Sequence, residues 1–67
     1  MQRYFEYLDD LRKSGVNVFG AGSYLEEAFG LQPAEAHRVL GLWMTTLSKD
    51  KSAAERAAAA TAMEAAA

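Results

Sequence analysis

The sequence predicts an all-α fold: a small three-helix domain with helix-turn-helix-like second and third helices and an alanine-rich helical C-terminal extension. Three observations predict it. Apolar residues recur at helical spacing in three separate runs, glycines punctuate the gaps between those runs, and the last fifteen residues include ten alanines. Residues 1–48 are expected to form the domain, and residues 49–67 a charged hinge and an alanine-rich helical tail.

The first helix is expected over residues 2–14. At about 100° per residue, Tyr4, Phe5, Leu8 and Leu11 share one face with Tyr7 at its edge. Glu6, Asp9, Asp10 and Lys13 fall on the other side. Ser14-Gly15 ends the run, because glycine readily adopts the left-handed conformation of a helix C-terminus. Residues 16–22 read as a connector. Val16, Val18 and Phe19 are too apolar for a fully solvated loop, and Phe19 is expected to cap the core. A lone strand there has nothing to pair with.

The second helix is expected over 23–29, opened by a capping box in which Ser23 and Glu26 bond each other's backbone amides. Gly30 ends it, with Leu31 as the accompanying apolar contact. Pro33 starts the third helix at the one position where its missing N–H costs nothing, and this helix is expected over 33–48. Ala36, Val39, Leu40, Trp43 and Leu47 form its apolar stripe, with Met44 at the edge and Leu42 pointing away. The expected core joins that stripe to Tyr4, Phe5, Leu8, Leu11, Phe19, Leu25, Phe29 and Leu31.

Lys49-Asp50-Lys51 is a charge cluster, and Ser52-Ala53-Ala54-Glu55 is a second capping box. Alanine is the best helix former, yet an isolated helix of this length is marginal in water. The tail has little apolar bulk to grip a core, so it is expected to extend helix 3 or to form a frayed fourth helix.

Composition narrows the function classes. Sixty-seven residues make one domain, which buries only about 60% of its unfolded surface and needs some supplement to its core. Without cysteine there is no disulfide, thiolate metal site or cysteine nucleophile. His37 is the sole histidine, too few for a histidine zinc site within one chain. No cofactor is expected. Met1 to Glu6 carries charge every few residues and reads as neither an export signal nor a membrane span. A cytoplasmic protein is the expectation. The net charge of −2 leaves few cations for neutralising phosphates, so nucleic acid is not the default partner.

No candidate catalytic constellation emerges. The Gly20-Ala21-Gly22-Ser23 run lacks the preceding strand, lysine or third glycine of a phosphate loop, and reads as a turn entering a helix. His37 would need a positioned nucleophile and an orienting acid, and Ser14, Ser23, Thr45 and Thr46 stand at unconstrained positions. Glu26 and Glu27 point about 100° apart on a helix and read as a solvated pair favoured at a helix N-terminus.

Three resemblances bear on function. Leu25 to Leu40 resembles helix-turn-helix DNA readers in its Gly30-Leu31 turn and in Ala36 and Val39, but has Glu26 where those proteins usually carry alanine. The implied DNA contacts are Gln32, His37 and Arg38, of which Arg38 alone is permanently basic. Phe29-Gly30-Leu31 followed by Ala36 and Val39-Leu40 also resembles ubiquitin-associated domains, but those need a break and a short third helix soon afterwards, whereas the helix here is expected to run on through Trp43 to Leu47. A wider pattern runs from Tyr4-Phe5 and Leu8-Asp9-Asp10-Leu11-Arg12 through Phe19-Gly20-Ala21, Tyr24-Leu25 and Phe29-Gly30-Leu31 to Val39-Leu40 and Trp43-Met44. It resembles short, uncharacterised all-helical proteins of bacteria and phages. That resemblance implies no activity and stops before the alanine tail.

The expectation is a non-enzymatic protein–protein interaction or accessory module that self-associates as a two-fold dimer. Candidate interface residues are Val18 and Phe19 in the connector and Leu42, Met44 and Thr46 off the core stripe. The alternative is a helix-turn-helix DNA-binding regulator using helix 3. The reading of Trp43 as the main core side chain makes the first prediction. Trp43→Ala should lower stability by about 3–5 kcal/mol, most of what a domain of this size holds. A thermal melt that does not move would remove Trp43 from the core.

Overall fold

A computed structural model describes residues 1–66. It contains four α-helices, α1 (Gln2–Lys13), α2 (Ala21–Phe29), α3 (Pro33–Thr45) and α4 (Ala53–Ala66), with a 3-10 turn at Val18–Gly20. No helix among the described residues is long and apolar enough to cross a membrane.

Local chemistry sets most of the helix ends. Gly15 takes a φ of 86° after α1, and its amide bonds the Arg12 carbonyl while Val16 bonds Leu11. That pair of bonds is a Schellman ending, which satisfies carbonyls the helix would otherwise leave open. Gly30 ends α2 at φ 67°. Gln32 before Pro33 is extended, as a residue preceding proline prefers, and Pro33 opens α3.

Two expected boundaries shift. Helix α2 begins at Ala21, two positions before Ser23, and the expected Ser23–Glu26 capping box does not form there. Asn17 accepts a hydrogen bond from the Phe19 amide and caps the 3-10 turn, whose Val18 carbonyl in turn accepts from the Ala21 amide. The turn thus supplies one acceptor at the start of α2, the Val18 carbonyl. Helix α3 stops at Thr45, short of the expected 48. The Thr45 and Thr46 hydroxyls bond back to the Gly41 and Leu42 carbonyls, each at 2.8 Å. Two β-branched residues that draw on their own helix's carbonyls are poor at continuing it.

The core is built from Phe5 and Leu8 of α1, Ala21 and Leu25 of α2, and Ala36, Val39, Leu40 and Trp43 of α3. Tyr4, Leu11, Phe29 and Leu31 pack half-buried around it. Tyr4 and Tyr7 meet the Phe29 ring edge-on at 4.9 and 5.4 Å between centroids, which ties α1 to the end of α2. Two expected core residues lie outside. Leu47 leaves the stripe once α3 has ended and is 43% exposed, and Phe19 is carried outward on the 3-10 turn and is 78% exposed.

The alanine-rich segment is a fourth helix packed chiefly against α1 and secondarily against α3, neither a continuation of α3 nor a projecting tail. The capping box expected at its start forms: Ser52 Oγ accepts from the Glu55 amide at 3.2 Å, and Glu55 accepts from the Ser52 amide at 3.3 Å. Ala57 and Ala60 are buried, because methyl-sized side chains let the two helix backbones approach closely. The Cα radius of gyration is 11.1 Å, close to the about 11 Å expected of a compact chain of this length. A projecting helix of about 21 Å would raise it.

That packing yields a size-dependent prediction. Ala60→Met should overpack the α1–α4 contact and lower unfolding free energy by about 1–3 kcal/mol. Ala58→Met, on the exposed side of the same helix, should stay within about 0.5 kcal/mol of the parent. Equal effects in urea denaturation would mean that α4 is not packed as described.

Candidate functional site

The most organised polar cluster centres on Asp9, which the amphipathic pattern assigned to the polar face of α1. The packing of α4 covers it, leaving its side chain 25% exposed. One carboxylate oxygen accepts from Trp43 Nε1 of α3 at 3.0 Å, and the other accepts from Arg56 Nη2 of α4 at 2.5 Å. Arg56 is the buried charged side chain among the described residues, 4% exposed. Its Nε donates to the Lys51 carbonyl at 3.3 Å, while Nη1 is buried without any hydrogen-bond partner. A donor in that state has lost its water and gained nothing in exchange.

Burial alone would push the Asp9 carboxyl up. The hydrogen bonds from Arg56 and Trp43, with the charges of Arg56 and Lys13, outweigh it and hold the group below its ordinary value of 3.8. Asp9 is therefore a carboxylate throughout the neutral range, committed as an acceptor and unsuited to donate a proton.

A cleft of about 440 Å³ opens beside this cluster, lined by Asp9, Arg12 and Lys13 of α1, Leu47, Ser48, Lys49 and Lys51 of the α3–α4 connector, and Arg56. Five cations face one carboxylate there, and that carboxylate is already paired with Arg56. Sequence reasoning missed the site. A lone arginine among alanines at 56 was its one visible signal.

A second, shallower groove of about 250 Å³ lies under Phe19, between the start of α2 and the face of α3 that carries Pro33, His37 and Leu40. Ser23 and Glu26 also line it. This brings a hydroxyl, an imidazole and a carboxylate together, but no hydrogen bond joins any two of them among the described residues. A nucleophile–base pair requires such contact. Elsewhere Ser14, Thr45 and Thr46 spend their hydroxyls on carbonyls of their own helices.

The candidate interface residues separate. Val18, Leu42 and Met44 are half-buried against the core, and Thr46 is half-buried with its hydroxyl tied to the α3 end. Phe19 alone of the five is exposed. Gln32 just before α3 and His37 and Arg38 in its first half are all exposed, but Arg38 is paired with Glu35 of its own helix and with Glu64 of α4. His37 joins Phe19 in the second groove, which brings together one residue from each expected surface. The chain matches no family model, no curated protein and no solved structure.

The Asp9 cluster makes a prediction in two variables. Asp9→Ala should cost about 3–5 kcal/mol, since it strands the buried Arg56 charge, and adding Arg56→Met should recover part of that loss. Because its folded pKa is depressed, Asp9 stabilises the fold above 3.8 and this contribution disappears as pH falls through the folded value. The stability difference between parent and Asp9→Asn should therefore hold from neutral pH to about 5 and close below 3.8. Parallel curves throughout the acid range would show that Asp9 is not tied in this way.

Proposed function

We propose that this chain is a small non-catalytic interaction module that self-associates as a two-fold dimer through the surface around Phe19. The observation that carries the reading is the state of Phe19 itself, 78% exposed yet mounted on a capped 3-10 turn. An aromatic ring held on an ordered turn gives up little backbone entropy on binding, and burying it is worth about 1.5–3 kcal/mol.

The geometry also favours a second copy as the occupant. A two-fold interface uses one patch twice, so it must contain both a projection and its receptor. Phe19 is the projection, and the groove beside it, lined in part by Leu40 and Pro33, is the adjoining concavity. Two rings exchanged across a dyad would each leave water, and the paired copies would supply the supplement that a cysteine-free domain of this size lacks.

The helix-turn-helix alternative has weaker support. Arg38, the permanent cation of α3, is engaged by two carboxylates, and each would have to release it before it met a phosphate.

Sedimentation equilibrium at micromolar concentration tests the proposal. The parent should fit a monomer–dimer equilibrium, and Phe19→Asp, which removes both rings of the dimer, should weaken it by about 100-fold or more with an unchanged circular dichroism spectrum. A parent chain that stays monomeric into the hundreds of micromolar, on the order of ordinary weak association, contradicts it.

A further inference from the structure

The charge distribution points to a second property, independent of the Phe19 surface. The chain is acidic overall, yet five of its seven basic side chains, Arg12, Lys13, Lys49, Lys51 and Arg56, line the one cleft beside Asp9. The other two lie elsewhere: Arg3 over the Phe29 ring at 5.9 Å, and Arg38 between Glu35 and Glu64. Arg12 and Lys13 sit in the last turn of α1, where the helix dipole favours cations without any ligand. That account does not reach Lys49 and Lys51 on the connector or Arg56 on α4. Three separate elements bring like charges to one concavity, an arrangement whose mutual repulsion opposes folding unless an anion offsets it.

A second observation points the same way. Arg56, 4% exposed and part of the cleft wall, leaves Nη1 buried with no acceptor. Its other nitrogens are satisfied by Asp9 and Lys51, so the open donor is on a group fixed in position. Nη1 is itself closed to solvent, so an acceptor oxygen would have to press past the cleft surface to reach it, and there it would complete the guanidinium's bonding and add charge-assisted strength.

We propose that this cleft binds a small, multiply charged phosphate compound of the polyphosphate or sugar-phosphate class. Its volume of about 440 Å³ lies within the range of small-molecule sites. No aromatic ring lines it, so the lining has nothing on which a nucleobase would stack, and Leu47 is its one large apolar side chain. Lys49 and Lys51 supply point charges on flexible stems, Arg12 and Lys13 line the cleft from the end of α1, and Ser48 offers a hydroxyl. Arg56 forms the fixed wall of the site.

Isothermal titration calorimetry of the full chain with sodium tripolyphosphate in low-salt buffer tests this assignment, with short duplex DNA as a second titrant. Tripolyphosphate should bind saturably at one site per chain, more weakly as salt rises. The double variant Lys49→Gln, Lys51→Gln should bind about 100-fold more weakly, near tenfold per charge removed. Its unliganded melting temperature should equal or exceed the parent's, because both lysines are exposed, the Lys51 carbonyl that holds Arg56 is kept, and two of the mutually repelling cations are gone. Arg3→Gln, outside the cleft, should bind as the parent does. Absence of saturable binding overturns the proposal. So does equal weakening by Arg3→Gln, which would mark non-specific attraction. Duplex DNA that binds more tightly than tripolyphosphate, and loses affinity in the double variant, would overturn the small-ligand assignment in favour of a nucleic acid.

Discussion

The Asp9 carboxylate holds three of the four helices in register. Each of its oxygens has one partner, Trp43 from α3 and Arg56 from α4, so the orientation of the group on α1 is set from two sides. Hydrophobic packing is non-directional and would tolerate several ways of laying an alanine helix over α1. A buried guanidinium that must meet one carboxylate tolerates far fewer, because the alternatives leave a charge desolvated and unpaired. The ion pair contributes less to net stability than to choosing among packings, since desolvating both groups offsets much of their attraction.

The alanines of α4 follow from that constraint. With a side chain of one methyl at 57 and 60, α4 lies close enough to α1 for the Arg56 head to reach Asp9 while the stem stays covered. Bulkier residues would increase the buried area but hold the helices apart. Alanine also gives α4 a strong intrinsic helical preference, and the Ser52–Glu55 box fixes where the helix begins. The helix that has the least apolar bulk is thus placed by propensity at one end, by the Arg56–Asp9 contact on its inner face and by the Glu64–Arg38 pair near its other end.

How much of this could be read in advance depended on the range of the signal. Local signals carried well: Gly15 and Gly30 end their helices, Pro33 starts one, and Phe5, Leu8, Leu25, Val39 and Trp43 are buried at the helical spacing that predicts it. Two identical capping patterns had opposite fates. Ser52 caps α4, whereas Ser23 is overtaken by a 3-10 turn whose own carbonyl does the same work. The Asp9 cluster was illegible because its partners are 34 and 47 residues away. On a helical wheel Asp9 is one more polar residue, and an alanine stripe has no hydropathy contrast to show which side faces inward. Phe19 failed for a related reason, since hydrophobicity alone does not distinguish a residue that caps a core from one that projects beyond it.

The two surfaces lie on different elements. The apolar one gathers the 3-10 turn, the start of α2 and the first half of α3; the basic one gathers the end of α1, the connector and α4. The basic one depends on α4 belonging to the folded unit, because Arg56 and the connector lysines are placed only when that helix docks. Native-state hydrogen exchange resolved by residue tests this most directly. Amides in the middle of α4 should exchange with the same opening free energy as those of α1 and α3, as one cooperative unit that includes the Trp43 indole N–H. Exchange of the α4 amides at unprotected rates, with α1 to α3 still protected, would contradict it.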